Sequence, residues 1–292
     1  MILLTGVTGT VGGHVARELK SAGIPFAALV RDRSRGEQAL GAEIELRQGD
    51  YERPDTLVSA LEGADRVFLV TPLVPRLAEF EGNVVDAAVR AGVRHIVRLS
   101  TAGVTQASDA VSAASPRQYP LHRRAEEHLE RSEIAFTHLR PGPFMQNTLN
   151  FASSIAAEDV FRGAWGEGAM GYVDVRDVAA VAATVLSENN HQGEAYELTG
   201  PEALSPADIA QKLSAAIGRD VRYEEVPGEA VRQAMLSRGM SDWFAEAMVE
   251  VMEHTRSSAA ARVTQAVFEL TGRQPRSYDA FARELAGVFK TA

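Results

Sequence analysis

The sequence of 292 residues contains no cysteine. Disulfide bonds, thiolate nucleophiles and zinc–sulfur sites are therefore excluded. The sequence also lacks a Gly-x-Ser-x-Gly nucleophile elbow, a His-Glu-x-x-His motif and any carboxylate cluster with metal-ligand spacing. We expect no metal site, and no serine hydrolase or zinc protease of the classes that these motifs mark.

Long hydrophobic runs are also missing. No apolar stretch approaches the length of about 18 residues that a membrane span requires, and the N-terminal residues do not form a signal peptide. Hydrophobic residues make up 45% of the chain and charged residues 24%, which is typical of a globular protein with a sizeable core. We expect a cytoplasmic protein with no membrane partner.

Positive charge is in deficit, because the formal net charge is -9. Phosphate backbones repel an acidic chain, so direct nucleic-acid binding would need a local basic patch. The densest candidate is Arg31, Arg33 and Arg35, a cluster that suits a single phosphate group better than a nucleic acid. We therefore expect no nucleic-acid partner.

The first half of the chain alternates short apolar runs with helical patterns. Gly, Pro or Asp bounds each run, which favours strands, and strands alternating with helices predict an α/β fold, a doubly wound parallel sheet of the Rossmann type. The expected strands cover residues 1–5, 26–30, 43–48, 67–70, 95–99 and 134–139, with helices at 11–19, 54–61, 75–91 and 121–129 between them.

The pattern changes after Asn147. We expect residues 1–147 to form a nucleotide-binding domain to which residues 171–200 return, with a helix near 174–187 and a strand at 195–198. Residues 148–170 and 201–292 are expected to form a smaller, mostly helical lobe on the substrate side. It would include a capped helix start at Ser205 and one final helix whose apolar stripe is Tyr278, Phe281, Leu285 and Phe289.

A glycine-rich segment, TGVTGTVG at residues 5–12, directly follows the first predicted strand and opens the first predicted helix. Glycines permit the tight turn, the close approach of a diphosphate and close packing of helix on strand, while the helix N-terminus offers free amides. This context predicts a dinucleotide site that uses Gly6, Thr8, Gly9, Thr10, Val11 and Gly12.

The end of the second strand indicates which dinucleotide binds. NAD-binding proteins place an acidic residue there for the ribose 2′-hydroxyl, whereas NADP-binding proteins often place arginine. Arg31 occupies this position and Asp32 follows in the loop. A guanidinium pairs with a 2′-phosphate in bidentate fashion, so we expect NADPH in preference to NADH, unless Arg31 is only a solvated loop residue.

Other candidates follow the third and fourth strands, where ligands bind in open α/β sheets. Asp50 could accept a hydrogen bond from the adenine amino group, or equally could cap the helix expected from Pro54. Thr71 and Pro72 are expected beside the adenine ribose.

Several segments resemble the NmrA-like family of atypical short-chain dehydrogenases/reductases. The glycines recur at three-residue spacing, and HRRAE at 122–126, LERS at 129–132 and FTHLRPGPFMQN at 136–147 are typical of that family. Similar segments at 49–51, 83–88, 91–97, 174–179 and 270–273 extend the resemblance over nearly the whole chain. The family includes quinone reductases, triphenylmethane reductases and a fungal nitrogen regulator.

The resemblance implies a particular catalytic arrangement. Ser100 and Thr101 follow strand five and are expected to contact the cofactor, and Ser100 is also a candidate catalytic residue. The position of the usual lysine falls on His122 and that of the usual tyrosine on Gln118, so the proton-donating tyrosine is absent. Tyr119 and Arg123 copy the usual pair only superficially, because arginine does not titrate. His122 is expected either to act as a weak acid, its ordinary pKa lying near neutrality, or to pair with Glu126.

By the same resemblance, Pro141 and Phe144 contact the nicotinamide, Phe144 and Asn147 contact the substrate, and Asn147 is a candidate catalytic residue. Phe144 and Asn147 would share a face if a helical turn follows the prolines. Trp165 could line an aromatic substrate pocket. A purely structural role is open for each of these residues.

These residues predict an oxidoreductase that uses NAD(P)H to reduce a quinone-like or other conjugated aromatic electrophile, since such a substrate accepts hydride without a strong proton donor. Two alternatives stay open. One is a non-catalytic NAD(P)-sensing regulator that acts through a protein partner, and the other is a tailoring enzyme for aromatic polyketides. The oligomeric state is open too, a homodimer included.

Overall fold

The computed structural model describes residues 1–104, 115–256 and 261–291. Across these ranges, none of the helices combines the length and the apolar character that crossing a lipid bilayer demands.

The elements are numbered in chain order. The first part contains β1 (Ile2–Leu4), α1 (Thr10–Ser21), β2 (Phe26–Val30), α2 (Arg33–Leu40), β3 (Glu45–Gln48), α3 (Leu57–Leu61), β4 (Arg66–Leu69), α4 (Leu77–Ala91), β5 (His95–Leu99), α5 (Gln118–Glu130) and β6 (Ala135–Pro141). It continues with a 3-10 helix (Met145–Phe151), α6 (Ala152–Glu158), β7 (Val160–Gly163), α7 (Val175–Ser187), β8 (Glu194–Leu198), α8 (Pro206–Ile217), β9 (Arg222–Glu225), α9 (Gly228–Ser237), α10 (Asp242–Thr255), α11 (Ala266–Thr271), α12 (Tyr278–Glu284) and α13 (Ala286–Thr291).

One compact unit comprises residues 1–104, 120–141 and 175–197 of the described chain. Its seven-stranded sheet has the order β3-β2-β1-β4-β5-β6-β8, and β1 to β6 pair in parallel. This is the predicted Rossmann arrangement, in which the strand order reverses between β1 and β4. Helices cover both faces, so the central strands are apolar almost throughout.

The second unit comprises residues 115–119, 142–174, 198–256 and 261–291 of the described chain. Its apolar core gathers aromatic and aliphatic side chains of α6, α8, α12 and α13. The helix predicted at Ser205 is confirmed, because Ser205 and Asp208 form a reciprocal capping box at the start of α8. A two-stranded parallel sheet of β7 and β9 was not expected, since neither four-residue strand alternates clearly in the sequence.

Two local predictions were wrong. No helix was expected between the second and third strands, but residues 33–40 form α2; its only buried residue is Gly36, so no apolar period indicated a helix. The expected single final helix is instead two, α12 and α13, separated at Leu285, with the poor helix former Gly287 in the second. The side chains of the predicted stripe nevertheless pack in one core.

Candidate active site

The turn between β1 and α1 has the geometry that a close-approaching ligand requires. Gly6 has φ +62°, and a Cβ there would lie 2.6 Å from Val70 Cγ1. A Cβ on Gly12 would lie 2.4 Å from the carbonyl oxygen of Gly6. The chain itself therefore excludes side chains at both positions, the first by backbone conformation and the second by packing of α1 against the turn.

Gly9 differs from both. It is the N-cap of α1 with φ -96° and ψ 174°, a conformation open to any residue, and its Cβ would meet a single atom at 3.2 Å, the Gly6 oxygen. Thr8, Gly9 and Thr10 are exposed, while Val11 is buried and anchors the helix. The backbone conformation at position 9 does not require glycine, and a Cβ there would need only a small shift of the Gly6 oxygen, so the bare backbone fits a bulky anion resting on the first turn of α1.

Two hydroxyl groups that bind the Val70 backbone stabilise the turn between β1 and α1. The Thr5 hydroxyl donates to the Val70 carbonyl at 3.0 Å and accepts from the Val70 amide at 2.9 Å. The Tyr51 hydroxyl donates to the same carbonyl at 3.3 Å. Burial raises the pKa of Tyr51 to about 12. This tyrosine therefore supports the turn and is not a proton source at neutral pH.

The residues that were expected to select the cofactor are divided between two tasks. Asp32 caps α2, because its carboxylate accepts from the Arg35 amide at 3.2 Å and from the Ser34 hydroxyl at 2.9 Å. Those hydrogen bonds lower the pKa of Asp32. Arg31 is exposed, and within the described chain only its carbonyl oxygen takes part in a hydrogen bond, with Gln48. The guanidinium of Arg31 is thus available for an anion, whereas the Asp32 carboxylate is already engaged.

Asp50 closes a turn after β3 and does not cap the helix that follows. Its carboxylate accepts from the Glu52 amide at 3.0 Å, which closes a tight turn, and Arg53, not Asp50, stands at the N-cap position of the 3-10 helix Pro54–Thr56. The capping alternative was therefore wrong. A contact between Asp50 and adenine stays a prediction, as does one for the exposed Pro72.

A buried chain of polar contacts extends inward from Thr71. The Thr71 hydroxyl donates to Glu81 on α4 at 2.9 Å, and Glu81 is paired with Arg98 on β5. The Arg98 and Glu81 side chains are 0% and 1% exposed. A second nitrogen of Arg98, Nη2, lies 3.0 Å from Nδ1 of His122 on α5. The arginine thus links residues after β4 to the His122 ring.

Glu126 is the second buried acid, and its carboxylate is the hydrogen-bond partner of Ser100. The Ser100 hydroxyl donates to Glu126 at 2.7 Å, and Arg140 on β6 donates to both carboxylate oxygens at 2.9 and 2.7 Å. Although burial opposes ionisation, the hydrogen bonds from Arg140 and Ser100 lower the pKa of Glu126 to about 2. The Ser100 hydroxyl proton is therefore engaged by Glu126, and this geometry does not favour Ser100 as a hydrogen-bond donor to a ligand.

Glu126, Glu130 and His138 offer three ligand atoms within 4.8 Å of one another. Arginines already occupy the carboxylates, since Arg140 binds Glu126 and Arg123 binds Glu130 at 3.0 Å. These cations oppose a metal ion there.

The expectation that His122 acts as a weak acid was wrong in its premise. Burial and the neighbouring Arg98 lower the pKa of His122 to about 3, against the opposing effect of Glu126. The imidazole is therefore neutral at pH 7. Its hydrogen-bond partner is Arg98, so the alternative of a pair with Glu126 was wrong as well.

The superficial Tyr119–Arg123 pair is not a catalytic pair. The Tyr119 ring is buried and packs edge-on against His254, with ring centroids 5.8 Å apart. Arg123 binds Glu130 and Glu127. Gln118, at the position of the usual tyrosine, is buried too. Thr101 is partly exposed, with its hydroxyl 3.3 Å from the Ala102 carbonyl.

The remaining candidates follow β6. Pro141 is buried at the end of that strand. A 3-10 helix follows with Phe144 at its N-cap position, and the Asn147 amide donates to the Phe144 carbonyl at 3.0 Å, so the expected helical turn is confirmed. A common face for the Phe144 and Asn147 side chains stays a prediction. Asn147 is exposed and Phe144 partly so. The Trp165 ring packs edge-on against the Phe151 ring, with the ring centroids 5.9 Å apart. Its centroid lies 6.1 Å from that of the Tyr223 ring.

Sequence reasoning missed Glu81, Arg98 and Arg140. One signal was present: Arg98 lies inside the apolar run 95–99, which a central parallel strand buries on both faces. A buried arginine needs a carboxylate partner, but the sequence does not say which of many glutamates supplies it.

Comparison with known proteins supports the resemblance. A model of the NmrA-like family matches residues 1–282. An NAD(P)H azoreductase of Xenophilus azovorans is 40% identical, with 100% of each chain covered. A (4-alkanoyl-5-oxo-2,5-dihydrofuran-3-yl)methyl phosphate reductase of Streptomyces griseus is 39% identical over 99% of each chain. The crystal structure of an NADPH-dependent quinone oxidoreductase from Escherichia coli, complexed with NADPH, superposes with a TM-score of 0.88 at 29% identity, covering 98% of this chain and 99% of that one.

Proposed function

The chain belongs to the NmrA-like family, and from that membership we propose that it is an NADPH-dependent reductase of quinone-like or other conjugated aromatic electrophiles, azo compounds included. We place the reaction in the cytoplasm. The observation that carries the proposal is the missing side chain at Gly9 in the first turn of α1, where the backbone conformation does not require glycine. The chain also matches an NAD(P)H azoreductase along its entire length.

The residues present fit the cofactor. Gly6, Gly9 and Gly12 leave the diphosphate position free of side chains, the amides of α1 face it, and Arg31 is available for a 2′-phosphate. When bound, the reduced nicotinamide supplies two electrons and a hydrogen nucleus to the substrate. Further contacts that we propose are from Thr71, Pro72, Thr101 and Pro141 to the cofactor, and from Phe144, Asn147 and Trp165 to the aromatic substrate.

The substrate class follows from the described residues, among which we find no proton donor in the place of the usual tyrosine. The position of the usual tyrosine holds a buried glutamine, Tyr51 supports the glycine turn, and His122 is neutral. A simple ketone would need a donor for its alkoxide, whereas a quinone, an azo compound or a cationic dye accepts electrons readily and takes its proton from water. We therefore expect activity on conjugated electrophiles and none on isolated ketones.

A panel of acceptors tests the proposal. The protein is mixed with NADPH and, in turn, a quinone, an azo dye, a triarylmethane dye and an aliphatic ketone, and the loss of reduced-cofactor absorbance is followed. Turnover with at least one conjugated acceptor and none with the ketone supports the proposal. Tight NADPH binding without any turnover favours the second candidate, a cofactor-sensing regulator, which the buried Gln118 at the tyrosine position would suit equally.

Cofactor preference has its own prediction. Arg31→Ala should weaken NADPH binding by about 1.5–3 kcal/mol, the size of a hydrogen bond to a charged group, and leave NADH binding nearly unchanged. Isothermal titration of both cofactors measures the two affinities. Arg90→Ala, at an exposed arginine of α4, is the control and should change neither. Equal weakening of NADPH and NADH in Arg31→Ala would show that Arg31 does not recognise the 2′-phosphate.

A further inference from the structure

Arg98 is a buried cation with an uncommon second partner. Its Nε is paired with Glu81, while its Nη2 lies 3.0 Å from His122 Nδ1. Arginine remains protonated in proteins and has no lone pair to offer, so in this contact the guanidinium donates and the imidazole nitrogen accepts. Nδ1 of His122 therefore carries no proton.

The proton of the neutral ring must then sit on Nε2. Neutral imidazole has one N–H and one acceptor nitrogen, so an acceptor at Nδ1 makes Nε2 the donor. The His122 side chain is only partly buried, whereas Arg98 on its Nδ1 side is 0% exposed. No residue of the described chain is paired with Nε2. The free donor is thus on the edge of the ring away from the buried arginine.

Resting on the function proposed above, we propose that Glu81 and Arg98 are positioning residues that hold His122 in its Nε2–H tautomer, so that this N–H donates to the atom of the electrophile that gains charge during reduction. A fixed donor at a quinone oxygen or azo nitrogen stabilises the developing negative charge without a proton having to leave the protein. Glu81 fixes the guanidinium, and the guanidinium fixes the ring.

The charges around the ring keep it from titrating in the working range. Arg98 on β5 faces Nδ1 and disfavours the imidazolium, and burial acts in the same direction. Glu126 on α5 opposes them, but its carboxylate binds Arg140 and Ser100 and lies 3.9 Å from Arg98 and 3.5 Å from Arg123, while Glu81 on α4 is paired with Arg98. We therefore expect a donor of this kind to be equally effective from pH 5 to pH 8.

Nitrogen NMR of the histidine rings reads the tautomer directly, with or without activity. Two-bond proton–nitrogen correlations distinguish protonated from unprotonated ring nitrogens, and His122→Gln assigns the signals among the seven histidines. In the wild type we expect an unprotonated Nδ1 and a protonated Nε2 for His122 throughout pH 5–8. A protonated Nδ1 would overturn the proposal.

The variant Glu81→Leu/Arg98→Met removes both buried charges together, which is tolerated far better than removing one. We expect His122 to show both tautomers in this variant. We expect kcat to fall on the order of 10-fold, while the NADPH dissociation constant changes less than about 2-fold. We also expect kcat to become dependent on pH on the acid side. Adding this pair of changes to His122→Gln should not slow that variant further. An unchanged His122 spectrum, or additive losses of kcat, would contradict the positioning role.

Two further variants keep the test decisive. Arg98→Lys retains a cationic donor and should keep the tautomer; if the double variant does not fold, loss of the tautomer in Arg98→Lys counts against the proposal. Arg117→Gln/Glu250→Gln, an ion pair of the other unit, should leave the His122 signals unchanged. If the wild type turns over no acceptor, the proposed function fails, while the spectrum still judges the link from Arg98 to His122.

Discussion

Replacing Gly9 by aspartate is expected to weaken NADPH binding severely without harming the fold. Gly9 has the extended conformation of an ordinary N-cap, and aspartate is a better N-cap than glycine, so α1 should gain a few tenths of a kcal/mol. The same carboxylate would occupy and repel the position of the diphosphate. Affinity should fall by at least about 3 kcal/mol, on the order of 100-fold. Calorimetric titration and thermal unfolding measure the two quantities on one sample.

The opposite signs of the two effects exclude misfolding as the cause of lost binding. Gly9→Asn is the matched neutral variant, with nearly the same shape and no charge, and it should lose less affinity than Gly9→Asp. Gly12→Ala should instead destabilise the protein, because its Cβ would lie 2.4 Å from a backbone oxygen. If Gly9→Asp bound NADPH as tightly as the wild type, the anion would not rest on the first turn of α1.

Acid should unfold the protein from pH 6 downward, more steeply than carboxylates alone would cause. Burial lowers the pKa of His95 to about 4 and those of His122 and His138 to about 3, whereas in the unfolded chain each is near 6.5. Below 6.5 the unfolded state binds protons that the native state refuses, so the stability that is full above that pH is lost as pH falls toward 3. Each histidine contributes a slope of about 1.4 kcal/mol per pH unit, together about 4, against a total stability of roughly 5–15 kcal/mol.

The contribution of one histidine can be isolated at His138, which is 0% exposed and whose polar neighbour on Nε2 is Glu130 Oε1 at 3.3 Å. In His138→Leu, the slope of unfolding free energy against pH, from urea titrations between pH 4 and 6, should decrease by about 1.4 kcal/mol per unit. Phe136, whose ring stacks on His138 at 4.8 Å, provides the control. Phe136→Leu removes the same ring contact but no proton, so it should lower stability and leave the slope as in the wild type. A slope unchanged in His138→Leu would show that this ring is protonated in the native state.

The sequence was sufficient for the parts of the fold that local periodicity encodes. The strands of the seven-stranded sheet, the glycine turn and the capped start of α8 at Ser205 all carry signals within a few residues. It failed where those signals are weak: α2 exposes nearly all of its side chains, and the break between α12 and α13 interrupts an apolar stripe that continues in space.

Some residues of the candidate site could likewise be predicted from local sequence, and others could not. Gly6, Gly9 and Gly12 could be identified from spacing, because the anion binds to local backbone. The environment of His122 could not, because Glu81, Arg98 and His122 come from α4, β5 and α5 and meet only in the folded sheet. The weak-acid interpretation used the ordinary pKa of histidine, and the buried arginine changes that value by a contact with no sequence signature.

The central claim is that this chain reduces a conjugated electrophile with electrons from NADPH. Its most direct test uses NADPH carrying deuterium at one face of C4 together with a cationic triarylmethane dye, whose central carbon retains a transferred nucleus. The cofactor is prepared in two forms, one labelled on each face of C4. We predict deuterium at the central carbon of the reduced dye with one form and not with the other. The account would be contradicted if the wild-type protein bound NADPH tightly and yet left the dye unlabelled, the quinone and the azo dye unreduced, and NADPH intact.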